Sequence, residues 1–394
     1  MVAGPPRPRC HHADMPEDRD AGVRAVLATS SFPPGRGGIE SYLAELADEL
    51  SPCVAVLAAG RRDGRVLPGD LSYPTVAGPG RMLWPGRGVA AAIERTARRF
   101  STDRVLFGTP WPLGLVGPAL HRRGLRYAAI VHGAELLVPA AIPAVRRAMA
   151  RALAGAELLL PVSEFTAGRI QGLLAGFGHR VPRMDLLPAR VDLSLFTPGA
   201  DDANLRRRLG MPETKTVLCF GRLVRRKGVH RLVAAMPELS RRVPGVTLVV
   251  AGTGPEERRL RRMAARTRAP VVFLGRVSEE DAPGVYAAAD VFALPVADRW
   301  FGLDVEGLGV VLLEAAAAGT PCVTGRSGGT PEAVVHGETG LVVDATDRGE
   351  LVAALERLLT DPMEAARMGR KGRGYVERAF SGRKLPASLI DWLG

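Results

Sequence analysis

Two glutamates, Glu306 and Glu314, flank a glycine-rich loop and the apolar run that follows it. The loop contains Gly307, Leu308 and Gly309, and a loop of this kind before a helix directs backbone N–H groups and the positive end of the helix dipole at one point. Such a point binds phosphate, whereas carboxylates are suited to accept hydrogen bonds from the hydroxyl groups of a sugar or a ribose. The stretch therefore indicates a pocket for a nucleotide diphosphate that carries a sugar. The spacing alone leaves open an ordinary helix start with a solvated glutamate on each side.

The E-x7-E spacing of these glutamates resembles the motif of retaining glycosyltransferases of family four, which have the GT-B fold. The sequence of residues 302–309, G-L-D-V-E-G-L-G, is most similar to the corresponding segment of bacterial phosphatidylinositol mannosyltransferases that use GDP-mannose. The resemblance implies an α/β protein with two facing Rossmann-like domains, parallel sheets, a cleft between them and a C-terminal helix that crosses back. It also implies that Glu306 holds hydroxyls of the donor sugar and that Glu314 holds those of the ribose.

The hydrophobic pattern along the chain predicts strands that alternate with helices, which is typical of doubly wound α/β domains. Proline, glycine and acidic residues mark a linker between two such domains. We expect a disordered leader over residues 1–22, an N-terminal acceptor domain over 23–195 that residues 376–394 rejoin, and a nucleotide-sugar donor domain over 200–375. Residues 60–88 are rich in Gly, Pro and Arg and are predicted to form a long loop.

The loop over residues 221–228 carries cations where an open sheet offers a ligand crevice. Lys227 is one of only four lysines in a chain that otherwise uses arginine, which is consistent with a need for a compact ammonium charge. The resemblance assigns neutralisation of the donor diphosphate to Arg222 and Lys227, whereas Arg225 and Arg226 are predicted to face solvent. A basic turn without a ligand is the alternative.

Three further loops follow predicted strands. In the resembled family a Gly-Gly loop after the first strand closes over the diphosphate, a role that falls on Gly37 and Gly38, with a plain tight turn as the alternative. A histidine at the carboxyl end of a strand points into the crevice of an open sheet. The resemblance places His132 near the donor sugar, and a structural histidine is the alternative. The backbone of Arg276 and Val277 is implied to read the nucleotide base.

Charge and composition limit the partners. The net charge is +12 over 394 residues, but the arginine-rich composition indicates a GC-rich genome as much as a polyanionic partner. Basic residues are dispersed and aromatic residues make up only 5%, so we expect no nucleic-acid binding. An anionic membrane surface or a phosphorylated substrate remains compatible with the charge, and a basic helix predicted over residues 142–154 has either a solvated face or a lipid-facing one.

The cellular compartment is inferred from cysteines and apolar segments. Four scattered cysteines without a C-x-x-C pair suggest neither a disulfide framework nor a zinc site. Residues 1–22 lack the apolar core of a secretory signal, and no apolar stretch reaches membrane-spanning length. We expect a cytoplasmic protein, and peripheral contact with the inner face of the cell membrane is left open.

Fixed cations and amides can stabilise a leaving diphosphate, so we expect no metal and no cofactor other than the nucleotide-sugar substrate. The D-x-D pattern at residues 18–20 is interpreted as chance. The resemblance implies a retaining hexosyltransferase that moves mannose from GDP-mannose to a lipid-linked acceptor such as a phosphatidylinositol mannoside. Two alternatives are a transferase that uses a UDP- or GDP-sugar on a soluble small molecule or natural product, and an inactive scaffold that binds a nucleotide sugar.

Overall fold

The protein is represented by a computed structural model that describes residues 22–33, 38–60, 71–133, 136, 142–200, 203–300, 304–381 and 385–394. The predicted leader lies outside these residues except for its last position. The chain divides into two compact units, the first comprising Met1–Pro188 with Lys384–Gly394 and the second comprising Ala189–Arg383.

The first unit contains a parallel sheet of seven strands with the order β3-β2-β1-β4-β5-β6-β7. The strands are β1 (Ala25–Thr29), β2 (Val54–Ala59), β3 (Thr75–Gly78), β4 (Arg104–Phe107), β5 (Arg126–Val131), β6 (Leu158–Pro161) and β7 (Arg183–Met184). The helices before the unit boundary are α1 (Gly38–Glu49), α2 (Arg87–Arg99), α3 (Gly117–His121), α4 (Pro143–Ala154) and α5 (Glu164–Ala175).

The second unit contains a parallel sheet of six strands with the order β10-β9-β8-β11-β12-β13. These strands are β8 (Thr216–Phe220), β9 (Thr247–Ala251), β10 (Val271–Gly275), β11 (Val291–Leu294), β12 (Cys322–Gly325) and β13 (Gly340–Val343). Its helices are α6 (Ala203–Leu209), α7 (Val229–Arg242), α8 (Glu257–Thr267), α9 (Ala282–Ala287), α10 (Val310–Ala317), α11 (Thr330–Ala333), α12 (Arg348–Thr360) and α13 (Pro362–Ala379).

The last helix, α14 (Ala387–Leu393), belongs to the first unit. The indole N–H of Trp392 donates to Glu157 at 2.9 Å, and the hydroxyl of Ser388 donates to Asp185 at 2.8 Å. Leu389 and Leu393 of the same helix are buried. Burial of one apolar face and two side-chain hydrogen bonds together fix this helix in the unit.

The strands at the centres of both sheets are mostly apolar. Every residue of β1 is buried, and so is every residue of β11. This pattern is expected of parallel strands covered by helices on both faces. Both units are therefore Rossmann-like α/β domains, which confirms that part of the predicted fold.

Each sheet reverses its strand order at one point, between β1 and β4 in the first unit and between β8 and β11 in the second. The loops at the carboxyl ends of two such strands leave in opposite directions, which opens a crevice where ligands bind. The prediction of one long loop over residues 60–88 is wrong in part, because β3 lies within it and α2 begins at Arg87. The glycines and prolines of that stretch are typical of a loop, and the short edge strand among them was therefore not predicted.

Within the described part of the chain, no helix combines the length and the apolarity needed to cross a membrane. Cys219 and Cys322 are free, buried thiols, and burial raises the pKa of Cys219 to about 12.

Candidate functional site

Two loops meet at the switch point of the second unit, one following β8 and the other following β11. The first passes through a short 3₁₀ turn, Arg225–Lys227, and ends at Gly228, whose φ of 75° lies in the left-handed region. A Cβ atom at position 228 would overlap the carbonyl oxygen of Pro295 at the start of the second loop. Glycine is therefore required for the close approach that brings the two loops together.

Side chains of the two loops form an ion-paired cluster around Glu306. The ammonium Nζ of Lys227 lies 3.0 Å from Oε2 of Glu306, and Nε of Arg226 donates to the same oxygen at 3.3 Å. The side chains of Glu306 and Lys227 are only 10% and 13% exposed, so water screens this pair weakly. Oε1 of Glu306 accepts no hydrogen bond from any residue that the structure describes. One carboxylate oxygen is thus anchored and the other is available to a ligand.

Arg226 bridges Glu306 to a second carboxylate. Its Nη1 donates to Oδ1 of Asp304 at 3.1 Å, and the other oxygen of Asp304 accepts from Nη1 of Arg299 at 3.1 Å. Asp304 and Arg299 also exchange two backbone hydrogen bonds of 3.1 and 3.2 Å. The prediction that Arg226 faces solvent is wrong, since its side chain is 22% exposed and contacts two carboxylates. Arg225 is half-buried, with Nη1 3.6 Å from Glu256.

The charge state of Glu306 follows from these contacts. Burial raises the pKa of its carboxyl group, but the charges of Lys227 and then Arg226 outweigh burial and bring the pKa below its ordinary value. Glu306 is therefore ionised at neutral pH. An ionised carboxylate accepts hydrogen bonds only, so its open oxygen suits hydroxyl donors.

Glu314 lies in α10 in a different environment. The hydroxyl of Tyr286 donates to its Oε2 at 2.5 Å, and Tyr286 itself is fully buried among Phe196, Phe220 and Phe292. Burial raises the pKa of Glu314, and the hydrogen bond from Tyr286 and the charge of Lys227 offset this only in part. Oε1 of Glu314 also accepts no hydrogen bond from a described residue. The tyrosine thus fixes the carboxyl group and leaves one oxygen for a ligand.

Replacement of Glu314 by Gln is expected to raise the thermal stability of the empty protein. The raised pKa means that the folded state favours the protonated carboxyl group, so the wild type loses stability as the pH rises through the folded-state pKa. Glutamine keeps an oxygen for Tyr286 and carries no charge to bury. Each ~1 kcal/mol gained corresponds to roughly 2–4 °C in the melting temperature of a domain of this size.

This gain should appear in calorimetric scans at neutral pH and disappear in acid, where both side chains are uncharged. Glu377→Gln is the matched control because Glu377 is exposed on α13. A Glu314→Gln variant that is less stable than the wild type at neutral pH would contradict this account of the buried carboxyl group.

Three loops at the carboxyl ends of β8, β9 and β10 are joined by backbone hydrogen bonds. The N–H of Leu223 donates to Thr253 at 2.9 Å, and the N–H of Gly252 donates to Gly275 at 2.6 Å. These bonds bring the loop of Arg222 close to the loop of Arg276 and Val277. The side chains of Arg222 and Arg276 are exposed, whereas Val277 is half-buried. The residues predicted to contact the diphosphate and the base therefore lie along one edge of the sheet.

The predicted phosphate loop leads into α10. Gly309 immediately precedes the helix with a φ of 86°, and the N–H of Leu312 donates back to its carbonyl at 2.8 Å. Leu308 is buried, and Gly307 directly follows Glu306 in the chain. The first N–H groups of a helix have no partner within the helix. The start of α10 therefore directs donors and positive dipole toward the loop that carries Glu306.

The remaining predicted residues belong to the first unit. His132 follows β5, with Nε2 3.0 Å from the carbonyl oxygen of Gly108 and its ring 5.3 Å from that of Tyr42 in an edge arrangement. Gly38 is exposed at the first position of α1, and Gly37 lies outside the described residues. These contacts fix the histidine ring at the carboxyl end of its strand, and its predicted role and that of the two glycines stay predictions.

Sequence reasoning missed three members of the cluster, which are Arg226, Asp304 and Arg299. Asp304 stands two positions before Glu306, and in extended backbone such residues lie on the same face. That spacing was the available signal. Among the described residues, no three His, Cys, Asp or Glu side chains are grouped as a metal site requires.

Together, two doubly wound sheets and a cluster of cations and carboxylates at a switch point define a two-domain α/β protein of Rossmann type. A family model described as glycosyl transferases group 1 matches residues 201–375. The GDP-mannose-dependent alpha-(1-6)-phosphatidylinositol monomannoside mannosyltransferase of Mycolicibacterium smegmatis is 39% identical over 93% of this chain and 97% of its own length. A relative from Corynebacterium glutamicum, named a GDP-mannose-dependent monoacylated alpha-(1-6)-phosphatidylinositol monomannoside mannosyltransferase, is 36% identical over 92% of this chain and 95% of its own length. The chain belongs to the group 1 glycosyl transferases.

Solved structures share the fold. Sucrose-phosphate synthase from Thermosynechococcus elongatus has a TM-score of 0.75 at 24% identity, over 91% of this chain and 94% of that one. HepE of Anabaena, solved in complex with UDP and glucose, has a TM-score of 0.75 at 22% identity, over 91% and 96%. The architecture implied by the sequence is thus confirmed as the GT-B type.

Proposed function

We propose that this chain transfers mannose from GDP-mannose to a phosphatidylinositol mannoside, with retention of the anomeric configuration and without a metal ion. The observation that carries the proposal is the match to relatives of that activity, which extends through both units at 36–39% identity. The cluster at the switch point of the second unit supports it, because its anchored carboxylate and its cations suit a nucleotide sugar.

In this proposal the cations act on the leaving group. Lys227 and Arg222 neutralise the diphosphate, and the amides at the start of α10 donate to its oxygens. Because these charges are fixed before the reaction, they stabilise the charge that grows on the leaving oxygen without reorganisation. Lys227 and Arg222 thus supply the positive charge that a divalent metal ion would supply in a metal-dependent transferase.

The two glutamates hold the sugars. Oε1 of Glu306 accepts from hydroxyl groups of the mannose, and Oε1 of Glu314 accepts from the ribose. The bond between the anomeric carbon and the diphosphate oxygen breaks while a bond forms to the acceptor oxygen on the same face. The proton of the acceptor hydroxyl moves to the departing phosphate oxygen, so that GDP and the mannosylated lipid are the products.

A lipid acceptor requires the enzyme to reach a membrane surface. We infer a peripheral, cytoplasmic-side contact with anionic lipid, which the net charge of +12 favours. Flotation with vesicles tests this contact: binding to vesicles that contain anionic lipid and release by salt are expected. Equal binding to neutral vesicles would contradict the electrostatic part.

The test of the reaction is a panel of donors and acceptors with purified protein. GDP-mannose with phosphatidylinositol monomannoside in mixed micelles is expected to give a dimannoside, with unchanged rates in excess chelator. Nuclear magnetic resonance of the product reports the linkage and anomeric configuration. Faster transfer from a UDP-sugar, or onto a soluble acceptor, would favour the natural-product alternative, and a strict need for Mg²⁺ or Mn²⁺ would contradict the metal-free mechanism.

A further inference from the structure

Asp304 has no role in the proposed transfer reaction, yet its side chain is held as firmly as that of Glu306. Its side chain is 18% exposed, and each carboxylate oxygen accepts from a different arginine at 3.1 Å. Its backbone is fixed by the two-way hydrogen bonding with Arg299. The guanidinium group of Arg299 in turn lies 4.7 Å from the ring centre of Trp300. Asp304 is thus a hydrogen-bond acceptor whose position is fixed by Arg299.

The fixed position of Asp304 restricts the orientation of the Arg226 side chain. Its guanidinium group is planar, with donors in a fixed fork. Nη1 is directed to Asp304, so only Nε reaches Glu306, and it reaches Oε2 alone. A guanidinium without the aspartate is free to turn and bind both oxygens of Glu306, since parallel two-point pairing is the preferred geometry of arginine with a carboxylate. That pairing would occupy the oxygen that a sugar hydroxyl needs.

We propose that Asp304 is a positioning residue that acts through Arg226 to keep Oε1 of Glu306 available to the donor sugar. This inference rests on the proposed role of Glu306 in holding the sugar. Asp304 does not contact the diphosphate cation Lys227 in the described structure, whose carboxylate partner is Glu306. Loss of Asp304 should therefore weaken recognition of the sugar and spare recognition of the nucleotide diphosphate.

The test is a double-mutant cycle with Asp304→Asn and Arg226→Gln. For each variant, calorimetry gives the ratio of the dissociation constants for GDP and GDP-mannose, and steady-state kinetics gives kcat and KM. Asp304→Asn is expected to lower kcat by about tenfold and to reduce the affinity advantage of GDP-mannose over GDP, with GDP affinity unchanged. In the Arg226→Gln background the same substitution should have no further effect, because the competing guanidinium is absent.

Asp298→Asn is the matched control, since Asp298 is exposed in the same loop and has no ion pair in the described structure. Additive losses in the double variant, or a loss of GDP affinity in Asp304→Asn alone, would overturn the positioning role and indicate a purely structural one. A wild-type chain without transfer activity would overturn the proposed function instead, and the affinity ratio would still decide the role of Asp304.

Discussion

Glu306→Gln is expected to lower sugar transfer by about 10²–10³-fold, a loss typical of a removed group that stabilises the transition state. The same substitution should tighten the binding of free GDP. In the wild type, Lys227 and Arg226 are neutralised by the ionised carboxylate of Glu306. Without that charge, Lys227 is fully available to the diphosphate, whereas Arg226 keeps its ion pair with Asp304. Opposite changes in rate and in product affinity are therefore the signature of this residue.

Turnover numbers and calorimetric titration with GDP measure the two effects. Circular dichroism and a melting curve must accompany them, because Lys227 loses its carboxylate partner, Arg226 loses one of its two, and the fold is expected to be weakened. Glu377→Gln, in the same unit and exposed, is the control. Normal turnover, or weaker binding of GDP by a folded Glu306→Gln protein, would remove Glu306 from the assigned role.

Lys227→Ala is expected to weaken the binding of GDP and GDP-mannose by about 10–100-fold, which corresponds to the loss of a hydrogen bond to a charged group of roughly 1.5–3 kcal/mol. A second effect concerns pH. Lys227 is the strongest of the charges that lower the pKa of Glu306, so burial gains influence in the variant and the pKa rises. Since Glu306 must be ionised, activity should be lost at a higher pH than in the wild type as the solution is acidified.

Titration calorimetry and a pH–rate profile of the residual activity check both parts. Lys371→Ala is the matched control, because Lys371 is exposed in the same unit and its ammonium lies 3.8 Å from Glu338. Unchanged GDP affinity in Lys227→Ala would reject the diphosphate role. An acid limb that stays in place would show that Lys227 does not control the ionisation of Glu306.

The sequence allowed the fold, and the placement of Lys227 and Glu306 in one pocket, to be predicted for one physical reason. Parallel strands place their carboxyl ends along a common edge, so loops far apart in the chain converge when the strand pattern is recognised. The apolar runs that form β8 and β11 can be recognised from the sequence alone. The glutamate spacing then indicated which loop holds the sugar.

The remaining members of the cluster depend on details that residue types do not encode. Residues 225–227 are three consecutive cations in one tight turn, and only the backbone dihedral angles decide which of them points at Glu306. Asp304 acquires its role from two arginines, one of which comes from the loop after β8. A short strand such as β3, placed among glycines and prolines, likewise gains its structure from its neighbour β2 and not from its own pattern.

The charged cluster has a thermodynamic consequence for the whole second unit. Among the residues that the structure describes, Arg226, Lys227 and Arg299 form ion pairs with two carboxylates, Asp304 and Glu306, so these five groups carry an excess of one positive charge. An anionic donor that spans loops from β8 and β11 would act as a reversible cross-link between chain segments some eighty positions apart. At a hundred times its dissociation constant such a ligand adds about 2.7 kcal/mol to the free energy of unfolding. The supply of nucleotide sugar would then set part of the lifetime of the folded enzyme in the cell.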